Sequence, residues 1–324
     1  MKKKLLALGL TAVMALGMGS MTQAVDVDVP DVVVDQDSVT ITKEYNLVGE
    51  GSSPEETFKL TSDAGTVKDG DATTVPAITI SDLHFDKGAA TADGKKGKFT
   101  VTLPTYTQTG VYEYTLKEKD GETAGVTYRA DSMKLVVTVV NDDNGLARIA
   151  AVHTEKEDGT KSDTFTENTY TANSLSVSKK VTGNLGDKNK EFSFTVTFEG
   201  PADKTWYDEI TVADGSTATY NNATHTATFT LKDGATATFD NIPAGVTYTV
   251  VEDDYKAKGY TTTYDGKETG TMGAEAIKTT VTNNKEKDVD TGIYLDNLPY
   301  ILMLAVVVIA AAAFVISRKR RVEL

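Results

Sequence analysis

The sequence predicts an all-β protein with two tandem β-sandwich domains. Short runs rich in Val, Thr, Tyr, Ile and Phe alternate apolar and polar residues, which is the pattern of half-buried strands. Turn signals separate these runs, namely Asp69-Gly70, Asp93-Gly94, Asn144-Gly145, Asp158-Gly159 and Asp233-Gly234. The body of the chain has no convincing amphipathic helical period. The length of 324 residues exceeds the need of one ordinary sandwich and suffices for two.

An internal repeat sets the number of domains at two. Each copy contains, in order, a strand with an inward lysine, a strand with an inward glutamate, and a Thr-rich strand that ends in asparagine. In the two copies these parts are 39–43 and 175–179, 110–118 and 245–252, and 166–168 and 281–283. The repeat predicts an N-terminal domain over 37–171 and a C-terminal domain over 172–286, joined by a short segment around 172–174.

Both ends of the chain have the composition of targeting segments. Residues 1–24 combine three early lysines, an apolar run and small residues before Ala24, which predicts a cleaved signal peptide. Residues 298–316 are apolar and precede four basic residues, which predicts a transmembrane helix with its C-terminal tail in the cytoplasm. The acidic Val/Asp segment 25–36 is either an added strand or a loose lead-in. The sequence thus predicts an exported protein whose precursor is held in the plasma membrane.

The net charge and the cysteine content exclude several binding functions and one means of covalent stabilisation. The net charge is −14, and without the three lysines of the first segment and the net +2 of residues 292–324 the body 25–291 carries −19. Such a body is unsuited to binding nucleic acid or anionic lipid through a basic patch. The chain has no cysteine, so as an exported protein it lacks the disulfide bonds that commonly stabilise extracellular domains.

Strand alternation places one lysine and one glutamate inside each domain. Lys43 and Lys179 fall in the apolar rows of their strands, whereas Lys180 faces outward, and Glu118 and Glu252 fall in apolar rows likewise. An unpaired buried charge is strongly unfavourable, so such groups pair, neutralise or react. A buried salt bridge is the simpler interpretation of each pair.

An asparagine at the end of the last strand favours a reactive interpretation. Asn283 shares a face with Val281 and adds an amide to Lys179 and Glu252. A desolvated lysine loses its proton more easily and becomes a nucleophile, while a desolvated glutamic acid can polarise the amide carbonyl and shuttle protons. Attack on the amide would expel ammonia and leave an isopeptide bond.

These residues resemble the backbone pilins, of T-antigen type, of Gram-positive sortase-assembled pili. The family's tandem Ig-like domains carry intramolecular Lys-Asn isopeptide bonds, and the resemblance covers nearly all of the exported body. Its most specific segments are LSVSKKVTG (175–183), FDNIPAGVTYTVVEDDY (239–255) and TTVTNNK (279–285). It implies two triads, one of Lys43, Glu118 and Asn168 and one of Lys179, Glu252 and Asn283. Glu118 and Glu252 are the catalytic members.

The resemblance leaves the partner of Lys43 open. Phe165 lies three residues before Asn168 rather than two, which breaks the expected alternation, so Asn173 is the alternative partner.

The same resemblance implies covalent assembly by a sortase that cuts between Thr291 and Gly292. The candidate motif, residues 288–292, keeps Thr-Gly but lacks the Leu and Pro of the common LPxTG form. The acceptor that resembles the family's linking lysine is Lys161, for which an ordinary exposed lysine is an equal alternative. The implied partners are further copies of the chain, a sortase, accessory pilins or peptidoglycan, and host surface ligands, with no cofactor and no metal.

An enzyme acting on an outside substrate has little support. His84, His153 and His225 are widely separated, and no hydrolase, zinc-protease or nucleotide-binding motif is present. The stronger alternative is a monomeric anchored adhesin or stalk, although an adhesive head would be expected to carry a large extra domain or an aromatic-rich insertion. The single tryptophan, Trp206, is more typical of local packing.

Overall fold

The computed structural model describes residues 34–142, 145–155, 161–162, 168–288 and 298–322. Within these ranges the chain forms twenty-two strands, one short 3-10 turn at Lys256–Lys258 and one helix. The predicted all-β class is confirmed.

The N-terminal half contains twelve strands and the start of a thirteenth. They are β1 (Ser38–Gly49), β2 (Glu56–Phe58), β3 (Leu60–Ser62), β4 (Thr66–Asp69), β5 (Thr79–Ile80), β6 (Leu83–Phe85), β7 (Lys95–Thr102), β8 (Gly110–Glu118), β9 (Val126–Thr127), β10 (Ser132–Asp142), β11 (Gly145–Glu155), β12 (Lys161–Ser162) and β13 (Asn168–Thr182). One sheet has the order β5-β7-β1-β13, with β9 also paired to β13, and the facing sheet has the order β12-β11-β10-β8-β3, with β4 also paired to β8. Strands β2 and β6 form a separate pair.

The C-terminal half contains the rest of β13 and nine further strands. They are β14 (Phe192–Glu199), β15 (Thr211–Val212), β16 (Thr219–Asn221), β17 (Thr226–Leu231), β18 (Thr236–Pro243), β19 (Thr247–Glu252), β20 (Thr261–Asp265), β21 (Thr269–Thr271) and β22 (Ile277–Asn284). One sheet is β15-β18-β13-β22-β20, and the facing sheet is β16-β17-β14-β19-β21.

Strand β13 belongs to both halves. It pairs in parallel with β1 through its first residues and in parallel with β22 through its last, so the first strand and the last strand of each half lie side by side. The expected linker at 172–174 is instead the middle of this strand, where a register shift lies between Asn173 and Leu175. Backbone hydrogen bonds from Glu50 and Ala244 hold it there from both halves.

Two separate apolar cores fill the space between the facing sheets. Most of the largest fully buried side chains are aromatic, because inward positions of these alternating strands carry Tyr and Phe. The first core includes Tyr45, Phe58, Phe99, Tyr112, Tyr114 and Tyr170, and the second includes Phe192, Phe194, Phe198, Phe239 and Val281. Each core encloses one of the lysines that the sequence placed inside.

Helix α1 (Leu298–Val322) is long and apolar enough to cross a membrane, and its apolar residues are exposed rather than packed on the sheets. The body of the chain therefore does not depend on the helix for its cores. The predicted signal peptide 1–24, most of the acidic segment 25–36, and the Thr291-Gly292 bond lie outside the described residues.

The end of the acidic segment is fixed to strand β11. The Asp35 carboxylate accepts hydrogen bonds from the Arg148 guanidinium at 2.9 and 2.5 Å, and Gln36 Oε1 accepts one from the Ala150 backbone at 2.6 Å. These bonds to Arg148 lower the pKa of Asp35 to about 2.

We expect this attachment to persist in mild acid and to be lost only near pH 2. The folded-state pKa is depressed, so the contribution is complete above the unfolded value near 3.8 and disappears as pH falls through about 2. An NMR titration of the Asp35 carboxyl carbon measures this directly, with Arg148→Gln as the control that should return Asp35 to an ordinary value. Titration of wild-type Asp35 near pH 4 would contradict the ion pair.

Candidate cross-linking sites

The first candidate site is formed by β1, β8 and β13. Lys43 Nζ contacts Glu118 Oε2, and Asn168 Nδ2 donates a hydrogen bond to Glu118 Oε1. The exposed fractions of Lys43, Glu118 and Asn168 are 4%, 8% and 0%, so all three groups are removed from water. The two oxygens of one carboxylate thus hold the amine and the amide beside each other.

The second candidate site is formed by β13, β19 and β22. Lys179 Nζ lies 2.7 Å from Glu252 Oε1, and Asn283 Nδ2 donates to the same oxygen at 3.1 Å. The exposed fractions of Lys179, Glu252 and Asn283 are 2%, 8% and 0%. Lys180, the next residue, is exposed, as the alternation predicted.

The same strand register builds both sites. Asn168 pairs with Tyr45, which is two residues after Lys43, and Asn283 pairs with Val181, which is two residues after Lys179. Residues two apart on a strand share a face, so each lysine lies diagonal to its asparagine on the inner face of a parallel strand pair. The sequence repeat therefore corresponds to one repeated geometry.

Strand β13 places both Asn168 and Lys179 on an inner face because its alternation changes phase between them. Asn168, Tyr170 and Ala172 face inward, and the irregularity after Asn173 returns Leu175 to the inner face. Asn173, the alternative partner, is buried elsewhere, where its Nδ2 donates to the carbonyl of Gly273 at 3.0 Å. The structure brings Asn168, and not Asn173, to Glu118.

Both lysines have apolar surroundings. Lys43 Nζ lies 5.7 Å from the centroid of the Phe58 ring, and Lys179 Nζ lies 4.4 Å from that of Phe192. Burial lowers the pKa of Lys43 and of Lys179, and their glutamate partners oppose the shift. Arg129, itself buried, lowers the pKa of Lys43 further through its charge. A larger share of each amine is therefore uncharged and nucleophilic than in water.

Each arrangement supplies the parts of an amide exchange. The neutral lysine nitrogen can attack the asparagine carbonyl carbon, and the glutamic acid can give a proton to the departing nitrogen and take one from the amine. One C–N bond forms, one breaks, and ammonia leaves. The carbonyl oxygens of Asn168 and Asn283 are buried without a hydrogen bond, so they remain available to the proton of a glutamic acid.

Other predicted site residues lie apart from these groups or outside the described residues. The backbone of Lys161 lies in β12, opposite Glu155 of β11 at the edge of the sheet, and Thr291 and Gly292 are not described. Among the described residues, no group of His, Asp and Glu has the arrangement of a metal site.

The sequence interpretation missed Thr262 and Arg129. Thr262 Oγ1 donates to Glu252 Oε2 at 3.2 Å, and Arg129 lies close enough to Glu118 for their charges to interact. Alternation within 261–265 places Thr262 and Tyr264 on one face, which was the available signal.

Comparison with known proteins agrees with this geometry. Residues 39–171 match the FctA family, described as the Spy0128-like isopeptide containing domain, and residues 173–285 match a family described as a domain of unknown function. A curated protein named Pilin, from Streptococcus pyogenes serotype M1, is 28% identical over 318 residues, covering 89% of this chain and 93% of that protein. The N-terminal half thus matches an isopeptide-domain family, and most of the chain is similar to a curated pilin.

Solved structures agree at the level of the fold. The major pilin from Streptococcus pyogenes is similar to this chain with a TM-score of 0.53 and 24% identity, over 78% of this chain and all of that one. A Glu-to-Ala variant of that pilin gives a TM-score of 0.51 and 25% identity, over 78% and 99% of the two chains. The matched relatives are structural subunits of the cell surface and not enzymes.

Proposed function

We propose that this chain is the structural backbone subunit of a covalent cell-surface pilus, with one isopeptide bond inside each domain. The bonds join Lys43 to Asn168 and Lys179 to Asn283. The observation that carries the proposal is that a buried glutamate holds an amine and an amide together twice, in the same register. Glu118 and Glu252 act within their own chain, so the chemistry is a maturation step and involves no outside substrate.

The position of the two bonds suits a fibre under tension. Each joins the first strand of a domain to its last, and strand β13 carries both Asn168 and Lys179. Pulling force that enters along β13 would pass from Lys179 directly to Asn283 and bypass the sheets between them. The bonds would also stand in for the disulfides that a chain without cysteine cannot form.

Covalent assembly would use the C-terminal Thr-Gly motif and an acceptor lysine of the N-terminal domain. A sortase would cleave between Thr291 and Gly292 and transfer the Thr291 acyl group to Lys161 of a neighbouring copy or to the cell wall. Helix α1 would hold the precursor in the plasma membrane until cleavage, with the basic tail in the cytoplasm. Accessory pilins, peptidoglycan and host surface ligands are the further partners of this proposal, and adhesion is the process it would support.

We expect a ladder of covalent oligomers on gels of boiled, detergent-treated cell-wall extracts. Thr291→Ala removes the acyl donor and should leave only monomer. Lys161→Ala removes the acceptor and should do the same, whereas Lys156→Ala, a nearby lysine, should leave the ladder unchanged. Single bands from the wild-type protein would favour a monomeric anchored adhesin or stalk. A ladder that survives Lys161→Ala would place the acceptor at another lysine.

A further inference from the structure

The two oxygens of the Glu252 carboxyl group have different partners. Oε1 faces both reacting groups, at 2.7 Å from Lys179 Nζ and 3.1 Å from Asn283 Nδ2. Oε2 instead accepts a hydrogen bond from Thr262 Oγ1 at 3.2 Å. A single oxygen thus serves the amine and the amide, and a residue outside the triad holds the other oxygen.

Strand β20 brings Thr262 to this point. Thr262 pairs with Asn283 across β20 and β22, and Tyr264, on the same face, pairs with Val281. The Tyr264 hydroxyl accepts a hydrogen bond from the Glu252 backbone N–H at 3.2 Å. β20 therefore holds Glu252 through both its side chain and its backbone.

The first site has no equivalent need. There each oxygen of the Glu118 carboxyl group contacts a different reacting group, since Oε2 contacts Lys43 and Oε1 accepts a hydrogen bond from Asn168. The reacting groups themselves fix the rotation of that carboxyl. At the second site both reacting groups contact Oε1, and the contact that restrains Oε2 comes from Thr262.

We propose that Thr262 is a positioning residue for the second isopeptide bond. Its hydroxyl holds Glu252 so that Oε1 faces Lys179 and Asn283 together. A hydroxyl can donate to a carboxylate and accept from a carboxylic acid, so it can hold Glu252 through both halves of the proton transfer. This inference rests on the proposed isopeptide chemistry and concerns its rate at one of two sites.

The test follows bond formation with time in residues 25–291, which contain both cores. Protein made by cell-free synthesis is quenched in denaturant at intervals and digested, and the cross-linked peptides of each site are quantified by mass spectrometry. The variants are Thr262→Val, which keeps the shape and removes the hydroxyl, Thr262→Ser, which keeps the hydroxyl, and Thr263→Val, an exposed neighbour on the same strand. The rate of bond formation at the first site, in the same molecule, serves as the internal reference.

We expect Thr262→Val to slow the second bond by about tenfold, the worth of one hydrogen bond to an ionisable group, and to leave the first bond unchanged. Thr262→Ser should restore most of the rate, and Thr263→Val should match the wild type. Equal rates for Thr262→Val and wild type would overturn the proposal. A slow Thr262→Ser that nonetheless has a native near-ultraviolet circular dichroism spectrum would also overturn it. Absence of any cross-link in the wild type would instead refute the proposed isopeptide chemistry itself.

Discussion

Residues 25–291, produced without the two terminal segments, are expected to weigh about 34 Da less than their sequence requires, because each isopeptide bond releases one ammonia of about 17 Da. Both sites have the amine, the amide and the carboxyl group in contact and out of water, so both reactions need only folding to begin. Proximity of this kind converts a slow reaction between amine and amide into a rapid intramolecular one.

Single substitutions separate the two sites. Glu118→Ala and Glu252→Ala should each raise the mass of the body by about 17 Da relative to the cross-linked protein, after correction for the substitution. Lys180→Ala is the matched control, because Lys180 neighbours Lys179 on the exposed face and should leave both bonds in place. A wild-type mass equal to the sequence mass would reduce both lysines to members of buried ion pairs and favour a plain anchored stalk.

Strand alternation was sufficient to identify most of the candidate site. Lys43, Lys179, Glu118 and Glu252 were each predicted inside because they fall in rows of apolar residues, and the structure buries them. A period of two is local, so it can be read without knowledge of the partner strands. The diagonal placement of each lysine and asparagine needed the structure, because strand register is set by pairing between distant segments.

Three features escaped the sequence for physical reasons. The phase of β13 changes near Asn173, and an irregularity of this kind has no signature in a single chain. The same strand crosses between the two halves where a linker was expected. Thr262 resembles every other threonine of a Thr-rich domain, and only the pairing of β20 with β22 distinguishes it.

Loss of the second bond is expected to lower the melting temperature of the C-terminal half by roughly 15–20 °C, since a bond that closes a loop of about 100 residues contributes about 4–5 kcal/mol on the chain-entropy model. Asn283→Ala is the suitable change. It removes the bond but leaves Lys179 and Glu252 paired, so neither buried charge loses its partner. Differential scanning calorimetry can follow each half, because the two cores are separate.

Asn168→Ala and Asn173→Ala complete this experiment and decide the partner of Lys43. Asn168→Ala should lower only the transition of the N-terminal half and raise the mass by one ammonia, because Asn168 is the amide that meets Glu118. Asn173→Ala should keep both bonds, since its side chain bonds Gly273 instead. The reverse mass result would assign Asn173 to Lys43. An Asn283→Ala protein that lacks one bond yet melts within a few degrees of wild type would show that the bond constrains the unfolded chain little, and its value would then lie in resistance to force.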